Sequence, residues 1–267
     1  MSDYLFLVNV GDEIVNSVQL SRFIPNRRSD SCQIVDYKVG VYTQPFESVN
    51  WIKLDEVEFS SNNNISISSE DYPLDTGQLA VIIPCEVGFK LLDKYSTLPA
   101  PISRKTDLSP VNERASIRFS KKNSFSSYQG EFPYQMSKVK GTFLAFDSLI
   151  QMGRRKIKTK MAFINIYSGR LYEKKIFDLN IANARSKEKI ASKTYVHNSA
   201  GIIDIKLTDN IELCFYSKDT LGVPIFISYN DRGYLSVEHT HPPFEYFWND
   251  KVKGQALMKK KWLSQLP

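Results

Sequence analysis

The chain has 267 residues, 42% hydrophobic and 24% charged, a composition that excludes intrinsic disorder and leaves ample material for a core. Three scattered cysteines, Cys32, Cys85 and Cys214, argue against a disulfide scaffold and for a reducing, cytoplasmic setting. The net charge of +6 is uneven: residues 1–100 carry seven Lys and Arg against 14 Asp and Glu (−7), and residues 101–267 carry 28 against 15 (+13).

Taken in chain order, strand signals dominate. Tyr4–Val10 is an apolar run without the basic segment of a signal peptide, and is read as a first strand. Cys32–Gln44 and Trp51–Phe59 alternate with period two, as half-exposed antiparallel strands do. Ser60–Ser69 is a loop or an edge strand, Gln78–Pro84 a compact apolar strand, and Val87–Tyr95 is compatible with a short helix. No apolar run approaches the roughly 18–20 residues of a membrane helix, so no membrane partner is expected.

Pro99, Pro101 and Pro110 make Thr97–Asn112 the expected boundary, because proline removes donors and forces its neighbour toward extended geometry. The charge balance changes sign there too. The expected organisation is therefore an acidic β-rich subdomain over 1–100 and a basic β-rich subdomain over 101–267.

Beyond it, Ala115–Ser120, Gly141–Phe146 and Lys160–Tyr167 read as strands. Leu179–Tyr195, with alanines among charged residues, is compatible with a helix. Ile202–Leu207 and Ile211–Tyr216 read as one hairpin, and Val223–Tyr229 and Tyr234–His241 as another, turning at Asn230-Asp-Arg-Gly233. Asn249 or Asp250 would cap a last helix whose Val252, Ala256, Leu263 and Leu266 share a face. The expected fold is mainly β (β-rich α+β): antiparallel meanders in a sandwich or barrel-like sheet, with a C-terminal helix.

The most chemically loaded stretch is Gly233-Tyr-Leu-Ser-Val-Glu-His239-Thr-His241-Pro-Pro-Phe-Glu245. Strand phase places His239 and His241 on the face of Leu235 and Val237. A four-residue turn would set Tyr229 opposite Tyr234, and so Pro224 and Gly222 opposite the two histidines, leaving room for an ion. Imidazole with carboxylate suits a divalent metal or an acid/base pair, and histidine ending a strand before Pro-Pro equally suits a purely structural role.

In the spacing of Gly233, His239, His241 and Glu245 the run resembles the first motif of the cupin family. That resemblance implies a metal held by His239, His241 and Glu245. The motif's closing glycine has no counterpart at the required spacing, since Gly254 falls too late, and no histidine follows for a second motif. A fourth ligand could come only from His197, upstream. Val237-Glu238-His239 before a helix is similar to a His-Me nuclease hairpin, although the Lys251–Leu266 segment offers no histidine or asparagine ligand. Asp204-Ile-Lys206 is similar to the Asp-x-Lys end of a metal nuclease core.

Basic clusters carry the other chemistry. Arg154, Arg155, Lys156, Lys158 and Lys160 crowd seven residues, and in a strand Lys156, Lys158 and Lys160 share one face, spaced to follow phosphates. Lys121 and Lys122 lie among Phe119, Phe125 and Tyr128, a mix suited to stacking on single strands. Lys259, Lys260 and Lys261 add to the terminal segment. Lysine on an exposed strand also protects a sheet edge. Neither GxGxxG, GxxxxGK[ST] nor GxSxG occurs.

The leading expectation is an intracellular binding or accessory protein whose basic C-terminal part engages nucleic acid or another polyanion. The alternatives are a metal-dependent enzyme built on His239, His241, Glu245 and His197, and a subunit whose acidic part meets a protein partner.

Overall fold

The computed structural model describes residues 3–20, 37–58, 65–101, 116–128, 132–133, 143–146, 157–205, 213–218, 220–239 and 264–267. They form a mainly β protein in which every strand pair is antiparallel and no sheet closes into a barrel. Two compact units emerge, Met1–Lys138 with Ser168–Lys174, and Val139–Tyr167 with Lys175–Pro267. Their charges are 16 Lys and Arg against 18 Asp and Glu (−2) in the first, and 19 against 11 (+8) in the second. The Thr97–Asn112 boundary region lies mostly outside the described residues, and the strands at 116–128 belong to the first unit.

In the first unit the strands are β1 (Asp3–Val8), β2 (Val15–Leu20), β3 (Tyr37–Thr43), β4 (Trp51–Glu58), β5 (Ile65–Ser68), β6 (Leu79–Glu86), β7 (Lys94–Tyr95), β8 (Ser116–Lys121), β9 (Ser124–Tyr128) and β10 (Phe132–Pro133). One sheet runs β10-β1-β6-β3-β4-β7 and the other β5-β2-β8-β9. β3 is buried along its whole length, as a central strand covered on both faces must be. The second sheet keeps strict alternation: Val18, Leu20, Ile67, Ile117 and Phe119 are buried while their neighbours are not. Val87–Tyr95 is no helix. It runs as a loop into β7, with Leu91 seated where a Cβ at Gly40 would meet it at 3.0 Å.

The segment Ser168–Lys174 docks on this unit. The Leu98 N–H donates to the Ser168 carbonyl, Leu171 is buried, and Lys174 Nζ donates to Gln44 Oε1 (2.9 Å), Ser48 O (2.9 Å) and Pro45 O (3.3 Å). Burial pushes the Lys174 ammonium down to about 8, against the opposing pull of Glu47. The unfolded chain keeps that proton up to the usual lysine range, so at this group it binds more protons than the fold between those limits, and the contribution of Lys174 to stability must rise with pH. Burial displaces the Cys85 and Cys214 thiols and the Tyr42 and Tyr195 phenols upward, which acts in the opposite sense as the unfolded chain loses those protons, so the lysine's share is read from the difference between wild type and a Lys174 variant. Thermal melts from pH 8 to about 9.5 should gain stability in the wild type relative to Lys174→Met; a flat difference between the two proteins would contradict the shift.

The second unit holds β11 (Phe143–Phe146), β12 (Lys158–Ile164), β13 (Ile176–Asn183), β14 (Lys189–Val196), β15 (Ala200–Ile205), β16 (Leu213–Ser217), β17 (Val223–Tyr229) and β18 (Leu235–His239). The sheets run β11-β16-β13-β14 and β15-β12-β17-β18. One core joins them: Met161, Phe163, Ile203, Ile205 and Phe226 from one sheet meet Phe177, Leu179 and Phe215 from the other. Phe163–Phe177 and Phe215–Phe226 ring pairs cross between the sheets at 5.6 and 5.8 Å.

Three expectations need correction here. Leu179–Tyr195 is not a helix but the β13–β14 hairpin. Phe177, Leu179 and Ile181 alternate inward, and the Asn183 side-chain carbonyl accepts from the N–H groups of Arg185 and Ser186 to make the turn. Ile202–Leu207 and Ile211–Tyr216 do not pair: β15 joins β12, and β16 joins β11 and β13. Both are apolar because they face each other through the core. The β17–β18 hairpin exists, but its register sets Tyr229 opposite Leu235 and Ile225, not Pro224, opposite His239. Its loop spans five residues; the Asn230 side chain accepts from Arg232 N and Tyr234 N, and Gly233 takes φ 94°.

The expected C-terminal helix is not seen; apart from Ser264–Pro267 it lies outside the described residues. Leu266 does face a sheet, packed with Ala182, Cys214 and Tyr216, and Tyr216 OH donates to the Pro267 carbonyl at 2.7 Å. Among the described residues no helix is long and apolar enough to cross a membrane.

Candidate polyanion interface

The expected metal set is only partly visible. His241 and Glu245 lie outside the described residues, and His239 ends β18 at a sheet edge. His197 sits in the turn from β14 to β15. Its ring meets Phe177 and Tyr167 edge-on at 5.5 and 6.4 Å, and Nε2 lies 3.4 Å from Thr220 Oγ1. His239 and the turn that carries His197 are not brought together by the sheet: β12 and β17 lie between β15 and β18. Among the described residues no three His, Cys, Asp or Glu side chains cluster to hold a metal. Nor is there spare room at Gly222: a Cβ there would lie 2.3 Å from Phe163 Cζ.

Around His197 is a buried polar network that strand reading missed. Asn165 Nδ2 donates to Leu221 O (2.9 Å) and its Oδ1 accepts from Asn198 N (2.9 Å). Asn198, at φ 60°, accepts from Tyr167 N through its own side chain (2.6 Å), and Ser199 Oγ donates to Val196 O (2.6 Å). These groups are spent on main-chain atoms, so the cluster fastens the ends of β12, β15 and β17.

The basic residues part company. Arg154, Arg155, Lys156 and Lys259–Lys261 lie outside the described residues. Lys158 is exposed, but Lys160, two residues on, is buried and within 3.5 Å of Asp204 Oδ1. Lys121 follows Ile117 and Phe119 on the buried face of β8; its ammonium donates to the Asp12 carbonyl and lies 3.8 Å from Glu13. Lys122 is exposed in the β8–β9 turn at φ 53°. Phe119 is fully buried and stacks on Tyr128 at 6.4 Å, so neither ring is presented as Phe125 is.

A different basic surface takes their place. The β13–β14 ribbon holds Lys175, Arg185, Lys189 and Lys193 in solvent, with Lys187 half-exposed at φ 64° in the turn. Lys189 and Lys193 both lie on the edge strand β14, with a register shift between them that sets Lys189 opposite Ala182 and Lys193 opposite Leu179. The ribbon's two carboxylates are held by hydroxyls: Thr194 Oγ1 donates to Asp178 (2.6 Å) and Ser186 Oγ to Glu188 (3.2 Å). Helical reading hid this surface, although the Phe177-Leu179-Ile181 alternation was its signal.

Among the described residues, fold and surface together define an all-antiparallel protein with two sheets in each unit and a basic ribbon at the edge of the second. Compared with protein-family models, with curated proteins and with solved structures, the chain finds no match in any of the three.

Proposed function

We propose that the protein works by binding rather than catalysis, and that its basic second unit engages nucleic acid. The observation that carries this reading is the β13–β14 ribbon, which projects Arg185, Lys189 and Lys193 from the unit whose charge balance is +8. Cations on a ribbon follow a phosphate backbone without reading bases, so affinity comes from counterion release and is sequence-blind.

Anisotropy titrations of labelled DNA and RNA across a salt series test it. Wild type should weaken steeply with salt, and the triple variant Arg185→Ala, Lys189→Ala, Lys193→Ala should flatten the log–log slope by about 2 to 3. Absent binding at low salt, or an unchanged slope, would end the proposal. Were the lysines only guarding the edge of β14, the variant would aggregate while binding as before.

A further inference from the structure

We infer that the outward face of the β5-β2-β8-β9 sheet in the first unit takes an unpaired nucleobase of a single strand, stacked on Phe125 with the neighbouring phosphate on Arg118. The inference deepens the nucleic-acid reading and rests on it.

The register assembles the surface. Antiparallel partners share a face, and Arg118 pairs with Ser17 on one side and Ser127 on the other, while Ser120 pairs with Phe125. The remaining outward positions of β2, β5 and β8 are serine, glutamine and valine. None of these strands carries a carboxylate, Glu70 and Asp71 following only beyond Ser68 at the end of β5, and each outward position is half-exposed or exposed. Phe125 is 60% exposed, and the Arg118 guanidinium carbon lies 4.1 Å from its ring centroid.

That pair holds the ring in place before any ligand arrives, which lowers the ordering cost of binding. A planar base can extend the stack, and the guanidinium offers a phosphate a charge-assisted, two-pronged contact. Bases in a duplex keep their faces stacked inside the helix and cannot use the ring, so this surface selects single strands. The hydroxyls beside it donate and accept, suiting base edges and sugar hydroxyls. A neutral sugar polymer could stack on Phe125 and accept from the guanidinium through its hydroxyls, but it carries no charge to pair with Arg118.

The test compares a labelled oligouridylate with a duplex of equal length on the full chain. Phe125→Ala should weaken single-strand binding about tenfold, the effect of one lost stacking contact, and change duplex binding by less than about twofold. Phe125→Trp should restore the affinity, and its added indole emission should be quenched on binding. Unchanged single-strand affinity in Phe125→Ala, with an unquenched Phe125→Trp, overturns the inference and leaves ribbon-dependent binding standing. Wild type that binds neither polymer, or that binds a neutral glucan through Phe125 instead, overturns both.

Discussion

Gly222→Ala should destabilise the second unit by about 3 kcal/mol and lower its melting temperature by about 10 °C. The added methyl would lie 2.3 Å from Phe163 Cζ and 2.7 Å from the Ile164 carbonyl oxygen. Phe163 is fully buried in the core that joins the two sheets, so the ring has nowhere to go, and the carbonyl belongs to β12. Overpacking of this kind must be relieved by moving backbone. Gly201→Ala meets only the half-buried Tyr195 ring, at 2.9 Å, and should cost less. Gly88→Ala meets nothing within 4 Å and should stay within about 0.5 kcal/mol of wild type. Melts of the three proteins decide it; a Gly222→Ala transition matching that of Gly88→Ala would refute the steric account.

Asn165→Ala should cost about 2 to 4 kcal/mol, because two buried main-chain groups, the Leu221 carbonyl and the Asn198 amide, lose their partner at once. The loss is greater than for an ordinary surface substitution because water does not replace the amide in a packed site. Urea denaturation gives the magnitude. Hydrogen exchange at the Asn198 amide gives the location, and protection there equal to wild type would show that the network is not holding the turn. Ser199→Ala, which removes one bond to Val196 O, should cost about 1 kcal/mol.

The parts of this fold that were legible in the sequence are those with alternation, a short continuous apolar run such as β1, β6 and β12, or turn chemistry between two runs. β4, β8 and the β17–β18 hairpin follow visible alternation or turn chemistry. Legibility failed where charge and alanine masked a two-residue period. In β13–β14, Ala182 is small because Tyr216 and Leu266 fill the space above it, a packing reason that imitates helix composition. It failed again for β15 and β16, since two apolar runs close in sequence look the same whether they pair or face each other. A one-residue error in loop length was enough to exchange the partner of His239.

The site divides the same way. That Lys121 and Lys122 sit among aromatics was plain, yet the phase of Ile117, Phe119 and Lys121 turns Lys121 inward and presents Arg118 and Phe125 instead. Charge count locates a basic region; only strand phase says which cations reach solvent.

The docked stretch Ser168–Lys174 has a consequence for the order in which the protein is made. Leu171 and Lys174 belong to the first unit but are encoded after β12, a central strand of the second. A chain emerging from the ribosome therefore cannot close its first unit at residue 138. It must wait for residue 174, by which point β11 and β12 of the other unit are already waiting for partners from β13 onward. Synthesis cannot complete the two units strictly one after the other, and severing the chain between residues 138 and 139 would leave the first piece without its ammonium clasp.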